Sequence, residues 1–256
     1  MPTESRSVFG EALSRAARGH DGRFLLVRHD DSSSFECDAS KYLEGLFPET
    51  LLSAIAAAQP SSARPLVDIG AGSGILMERA NVARDSYLPV DNDPAALSLA
   101  LSIVGHGPSL LSDIGSILEG RLLESATPSC VVMAGGNLGL LGTCRESPVE
   151  SLSLLVRQCP DGCVLAAHGR DPGADTRHAA FWRGRKEPFY TASLVSLDGA
   201  LQSQPFRWWM PSMGEAVRSL SLAGWSRVGA SRTDGFGGFV ATATAPDRRL
   251  LHHPLS

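Results

Sequence analysis

The chain has 256 residues, 43% hydrophobic and 20% charged, a balance that suits one large α/β domain or two small ones. Its formal net charge of -4 argues against broad, sequence-independent binding to nucleic acid, which needs a cationic surface. No stretch reaches the ~18 continuous apolar residues of a membrane span, and Met1 to Gly10 holds no apolar run, so no membrane partner and a cytoplasmic location are expected.

The N-terminal region, residues 1–62, reads as a helical cap. Val8 to Arg18 is an Ala-rich helix with its arginines to one side, and Asp30 to Ser34 is a loop of turn formers. Asp38 caps a helix running to about Leu46, and Pro48 suits the first turn of another through Ala58. Gln59 to Ser62 is a linker. From Pro65 apolar strands alternate with helices: strands at Pro65–Ile69, Tyr87–Val90, Leu110–Leu111, Cys130–Ala134 and Cys163–Ala167, helices at Ile75–Ala83, Pro94–Val104, Ile114–Glu124 and Pro148–Gln158. Strands apolar along their whole length predict a parallel sheet covered on both faces. The last third breaks the rhythm. Asp171 to Pro188 is polar, Leu194 to Gln202 forms a hairpin around Asp198-Gly199, Met213 to Ala223 is an amphipathic helix, and Ser226–Arg232 with Phe239–Thr244 closes as an antiparallel pair. These elements define a domain over 63–245, with 246–256 as a tail. Five cysteines without framework or zinc-finger spacing read as buried thiols in a reducing compartment, and no metal site is expected.

The chemistry concentrates at the carboxyl ends of the strands, where open α/β sheets bind ligands. Val67-Asp68-Ile69-Gly70-Ala71-Gly72-Ser73-Gly74 is strand, acid and glycine turn leading into a helix. Its G-x-G-x-G spacing differs from the pyrophosphate-gripping G-x-G-x-x-G. The acid two positions ahead suits a cofactor with a cationic ammonium and no pyrophosphate, which fits S-adenosylmethionine. Asp91 ends the second strand, followed by Asn92 and the helix-capping Asp93, and its carboxylate suits ribose hydroxyls. Ser112 and Asp113 end the third strand, where an acid can accept from the adenine amine. Gly135, Gly136 and Asn137 end the fourth and open the backbone over the methionine end of such a cofactor.

These motifs resemble those of the class I S-adenosylmethionine-dependent methyltransferases. The resemblance rests on Val67 to Gly74, Val90-Asp91-Asn92-Asp93-Pro94 and Ser112-Asp113, and it spans about 63–245. Gly136-Asn137-Leu138-Gly139-Leu140-Leu141-Gly142 is also similar to a run in some bacterial small-molecule members. The resemblance implies a Rossmann-like, seven-stranded, mostly parallel sheet with helices on both faces and the last strand antiparallel. It implies that Asp68 and the loop Gly70, Ala71, Gly72 and Gly74 hold the methionine end, Asp91 with Asn92 the ribose, and Ser112 and Asp113 the adenine. Gly135 and Asn137 would complete that set. The amine-methylating nucleic-acid members carry an N-P-P-aromatic or D-P-P-aromatic run after the fourth strand. Gly136 to Gly139 stands there instead, which points to a small-molecule acceptor.

Candidate acceptor-side residues lie outside these motifs. His168, after the fifth strand, is the candidate general base, ahead of His29, His106 and His178. Tyr42 in the cap, Trp182 and Arg183 in Phe181-Trp182-Arg183-Gly184-Arg185-Lys186, and Trp208 in Phe206-Arg207-Trp208-Trp209-Met210 are candidates for binding an acceptor. The cap helices and the Leu194–Gln202 hairpin are candidates for gating the pocket or for joining two copies as a homodimer. The expected function is methyl transfer to an O, N or C atom of a small molecule, with cofactor binding in a non-methylating role as the alternative.

Overall fold

The computed structural model describes residues 7–105, 107–143, 145, 147–173, 179–183, 185, 187–233 and 237–247. In chain order the elements are α1 (Val8–Ala17), β1 (Arg23–Arg28), β2 (Ser34–Asp38), α2 (Lys41–Glu44), α3 (Glu49–Ala58), β3 (Leu66–Ile69), α4 (Leu76–Arg79), β4 (Tyr87–Asp91), α5 (Pro94–Val104), β5 (Leu110–Leu111), α6 (Ile114–Glu119), α7 (Leu122–Ala126), β6 (Cys130–Met133), α8 (Pro148–Gln158), β7 (Val164–Arg170), α9 (Ala179–Trp182), β8 (Phe189–Ser196), β9 (Phe206–Trp209), α10 (Met213–Leu222), β10 (Ser226–Arg232) and β11 (Gly238–Thr244).

Seven strands form one sheet in the order β10-β11-β7-β6-β3-β4-β5. β5, β4, β3, β6 and β7 run parallel, while β11 pairs antiparallel with both β7 and β10. Along β3 and β6 every residue is buried, and their side chains alternate between two apolar layers. Val67, Ile69, Val131 and Met133 pack with α6, α7, α8 and α10 on one face, and Leu66, Cys130 and Val132 pack with α3 and α4 on the other. Burial on both faces explains why these strands read as unbroken apolar runs. The strand order reverses between β3 and β6, and this switch point fixes where a ligand cleft opens.

The N-terminal region differs from the expected helical cap. α1 and α3 form, but a hairpin, β1–β2, stands where only the Asp30–Ser34 turn was legible. It joins β8 and β9 in a second, antiparallel sheet ordered β2-β1-β8-β9. Pairing with β8, more than 160 residues away, makes β1 a strand. The segment Arg23-Phe24-Leu25-Leu26-Val27-Arg28 has apolar residues on both sides and shows no period-2 pattern by itself. Other differences have local causes. Pro48 is the N-cap of α3 rather than its first-turn residue. The helix expected to reach Ala83 ends at Arg79, ahead of the left-handed Asn81. The one expected over Ile114–Glu124 divides at Gly120 into α6 and α7. The expected tail beyond Asp247 lies outside the described residues.

α1 is docked onto α5 by its own cap. The Ser7 hydroxyl caps α1 at the Gly10 N–H, 3.0 Å away, and donates to the carboxylate of Asp93. Asp93 in turn caps α5 through the N–H groups of Ala95 and Ala96. A Cβ at Gly10 would lie 2.2 Å from that carboxylate, so only glycine lets α1 approach so closely.

Candidate functional site

A cleft of about 1160 Å³ opens at the carboxyl ends of β3, β4, β5 and β6, beneath the inner face of the cap sheet. Its floor begins at β3. Gly70 and Ala71 donate their N–H groups to the carbonyl of Val90, so the turn after β3 hangs from β4. Gly72, at φ 57°, turns its N–H toward the Asp91 carboxylate, 2.9 Å away. A Cβ there would meet only Phe9, 4.0 Å away, so the backbone is bare toward the cleft. The same holds across the switch point. Gly135 and Gly136 sit at φ 62° and 92°, a Cβ on Gly136 would have no neighbour within 4 Å, and one on Gly135 would meet only the Tyr42 ring.

Burial raises both acids of this wall, Asp68 and Asp91, above the ordinary carboxylate range. Asp68 is 1% exposed, accepts a 2.6 Å hydrogen bond from the Tyr87 hydroxyl through Oδ2, and has no partner on Oδ1 among the described residues. Burial, reinforced by the charge of Asp91, pushes its carboxyl up to about 7 despite the Tyr87 bond. Asp91 is raised by burial and steadied by the N–H groups of Gly72 on Oδ2 and Asp93 on Oδ1. Asp113 caps α6 through the Ser116 N–H and hydroxyl, which hold its carboxyl below the usual range. Ser112 and Asn92 stand beside it and Asp91 on the same rim.

The structure brings Asp68, Gly70, Ala71, Gly72, Asp91, Asn92, Ser112, Asp113, Gly135 and Asn137 around one cavity, together with Tyr42, His168, Trp182 and Trp208. Gly74 and Arg183 are not on its wall. Gly74 faces α5, where a Cβ would lie 2.9 Å from the Cβ of Ala100, so this glycine serves helix–strand packing. Asn137 donates its amide to the carbonyls of Gly70 at 2.8 Å and Ile69 at 3.2 Å, tying the loop after β6 to the turn after β3. His168 lies within β7 rather than after it, because β11 extends the pairing to Arg170. His29 sits in the cap, its ring 2.9 Å from the Ser193 hydroxyl, and His106 and His178 lie outside the described residues.

One cation of the segment after β7, Arg185, joins Arg28 of β1 in holding the roof. The Arg28 guanidinium, 5% exposed, binds Asp31 through two nitrogens and stacks 3.4 Å above the Phe181 ring. Arg185 stacks on the same ring and binds Asp30 at 2.8 Å. Arg183 is exposed beyond this clamp.

The run from Gly136 to Gly142 has a packing reason. Asn137–Gly142 forms a 3-10 helix, whose three-residue turn aligns positions i and i+3 on one face. Gly139 and Gly142 lie against β9: a Cβ would sit 2.1 Å from the Trp208 indole at Gly139 and 2.8 Å from the Trp209 nitrogen at Gly142. Trp209 goes into the core at 3% exposure and Trp208 onto the cleft wall. Sequence reasoning missed the rest of the cap's wall. Phe24, Leu26 and Arg28 of β1, Phe35 and Cys37 of β2, Tyr190 and Leu194 of β8, and Phe206 of β9 all line the cleft. The period-2 register in Phe35-Glu36-Cys37 and Phe206-Arg207-Trp208 was the available signal.

No protein-family model matches the sequence, and no curated protein matches it. Solved structures do. An S-adenosylmethionine-dependent methyltransferase from Bacteroides fragilis, crystallised with S-adenosylhomocysteine, superposes over 96% of this chain and 98% of its own, with a TM-score of 0.71 at 13% identity. The chain has the Rossmann-like methyltransferase fold. The CcbJ methyltransferase from Streptomyces caelestis is similar over 78% of this chain and 90% of its own, with a TM-score of 0.55 at 16% identity. A Methanosarcina mazei S-adenosylmethionine-dependent methyltransferase is similar over 75% and 97%, with a TM-score of 0.50 at 16% identity. Within this methyltransferase fold, the glycine turn after β3 and the acid ending β4 border the switch point, and the cap sheet roofs it. Among the described residues no helix is long and apolar enough to cross a membrane, and no group of His, Cys, Asp or Glu side chains could hold a metal ion.

Proposed function

We propose that the protein is an S-adenosylmethionine-dependent methyltransferase acting on a small molecule. The observation that carries this reading is one cleft wall holding the partnerless Asp68 Oδ1, the Asp91 carboxylate and the bare backbone at Gly72, Gly135 and Gly136. That wall fits an adenosyl sulfonium with an ammonium tail. Asp68 Oδ1 would take the ammonium, and the lone pairs Asp91 does not use on Gly72 and Asp93 would take the ribose hydroxyls. Ser112 and Asp113 border the adenine end, and Tyr42 covers the hollow at Gly135.

S-adenosylmethionine, when bound, supplies a methyl already activated on sulfur. What remains for the protein is to hold an acceptor in line and keep water out, and orientation of this kind is worth roughly 7–11 kcal/mol. The acceptor's lone pair forms the new bond to carbon while the old bonding pair stays with sulfur. Where the acceptor carries a proton, His168 on the cleft wall is the proposed base. The comparison proteins support the reading through their names: those with a TM-score of at least 0.5 include S-adenosylmethionine-dependent methyltransferases.

Calorimetric titration with S-adenosylhomocysteine tests it. The expected Kd is micromolar, and Asp91→Ala weakens binding at least about tenfold, the scale of a charged hydrogen bond. No binding below about 1 mM, which is about -4 kcal/mol, refutes the proposal.

A further inference from the structure

Beyond the wall assigned to the cofactor, the cleft has a second, chemically different half. At about 1160 Å³ it exceeds the roughly 300–1,000 Å³ of a site for one drug-sized ligand. The cleft runs on under the cap sheet, where Phe24, Phe35, Tyr190, Phe206 and Trp208 line it. Tyr190 and Trp208 are direct register partners on β8 and β9, so their rings stand side by side on one face. Phe206 lies two residues from Trp208 on that face, with ring centroids 5.8 Å apart, and the Trp182 ring closes against Tyr190 at 6.1 Å. The two roof cations above this group, Arg28 and Arg185, are matched by Asp31 and Asp30. One polar atom in the box is left over: the Trp182 Nε1 is buried with no hydrogen-bond partner among the described residues. A buried indole N–H ordinarily has one.

We infer that the methyl acceptor is a planar aromatic compound, stacked among Tyr190, Phe206 and Trp208, with a carbonyl or ring-nitrogen atom that accepts from the Trp182 indole N–H. This rests on the methyltransferase reading above and names the substrate class for it. A saturated sugar covers these rings less completely than a planar ring does, and an aliphatic ammonium, which aromatic rings can hold by cation–π attraction, has no acceptor atom to offer the Trp182 indole N–H. An aromatic ring without a hydrogen-bond acceptor would leave the indole N–H unpaired, a loss on the order of 1–3 kcal/mol for a buried donor.

The probes are 7-hydroxycoumarin, which carries a lactone carbonyl, 2-naphthol, which is similarly flat and lacks it, and methyl glucoside. Each is titrated calorimetrically with and without saturating S-adenosylhomocysteine, into the wild-type chain and Trp182→Phe. In the wild type 7-hydroxycoumarin is expected to bind at least about fivefold tighter than 2-naphthol, and methyl glucoside weakest of the three. Trp182→Phe keeps a ring and removes the N–H. It is expected to erase the difference between the two aromatic probes while 2-naphthol changes less than about twofold. The wild-type ranking does not depend on the variant folding. Equal binding of all three probes, or tighter binding of the glucoside, overturns the inference. So does a coumarin preference that survives in Trp182→Phe. Failure of S-adenosylhomocysteine itself to bind, with the aromatic ranking intact, overturns the methyltransferase reading instead.

Discussion

Asp68 gives a direct handle on whether the cleft holds a cation, because its charge is set within the working pH range. Burial lifts its carboxyl to about 7, with one oxygen held by Tyr87 and the other without a partner among the described residues. With that value, about one tenth of the free protein carries an ionised Asp68 at pH 6 and about nine tenths at pH 8. An ammonium group binds the ionised form. The affinity for S-adenosylhomocysteine should therefore rise about tenfold from pH 6 to pH 8, and binding at pH 6 should release close to one proton. Calorimetry in two buffers of different ionisation enthalpy reads both quantities. Asp68→Asn should flatten the profile. The same shift has an opposite sign for the free fold. Its pKa is raised above the unfolded value, so the contribution of Asp68 to stability is full below about pH 4 and is lost as pH rises through about 7. A flat affinity between pH 6 and 8, or a slope retained in Asp68→Asn, would refute the assignment of Asp68 to the ammonium.

Asn137→Ala removes two hydrogen bonds that tie the loop after β6 to the turn after β3. A loss of about 2 kcal/mol is expected, seen as a fall in Tm of about 4–8 °C; an unchanged Tm would show that the tie carries no weight. Gly10→Ala sets a gain of about 1 kcal/mol in helix propensity against a Cβ driven into the Asp93 carboxylate, with overpacking costs of about 1–3 kcal/mol. The clash should win, lowering Tm and exposing the α1 amides to hydrogen exchange. A stabilised variant would show that α1 does not need this close approach.

Much of the sheet was legible because its strands are buried on both faces and its ligand loops carry glycine or acid where the backbone needs them. Gly72 is an example: one residue meets a left-handed turn, a bare surface and the Asp91 carboxylate at once. The cap was not legible for the opposite reason. β1 becomes a strand only by pairing with β8, and its two apolar faces hide the alternation. Side-chain destinations were also beyond the sequence. The run from Phe181 to Lys186 reads as a candidate acceptor-binding segment, yet Arg185 is drawn to Asp30 and the Phe181 ring, and Arg28 from a distant strand stacks on the same ring. Gly74 and Asn137 carry the motif's letters, but in this structure they hold α5 and the two loops together.

A crystal structure of the complex with S-adenosylhomocysteine tests the central claim most directly. The account predicts density for the adenosyl group between the Gly70–Gly74 turn and Asp113, ribose hydroxyls on Asp91, the ammonium within hydrogen-bond distance of Asp68 Oδ1, and the sulfur facing the aromatic half beneath the cap sheet. Density outside this cleft, or a ligand whose ribose and ammonium touch neither acid, would contradict it.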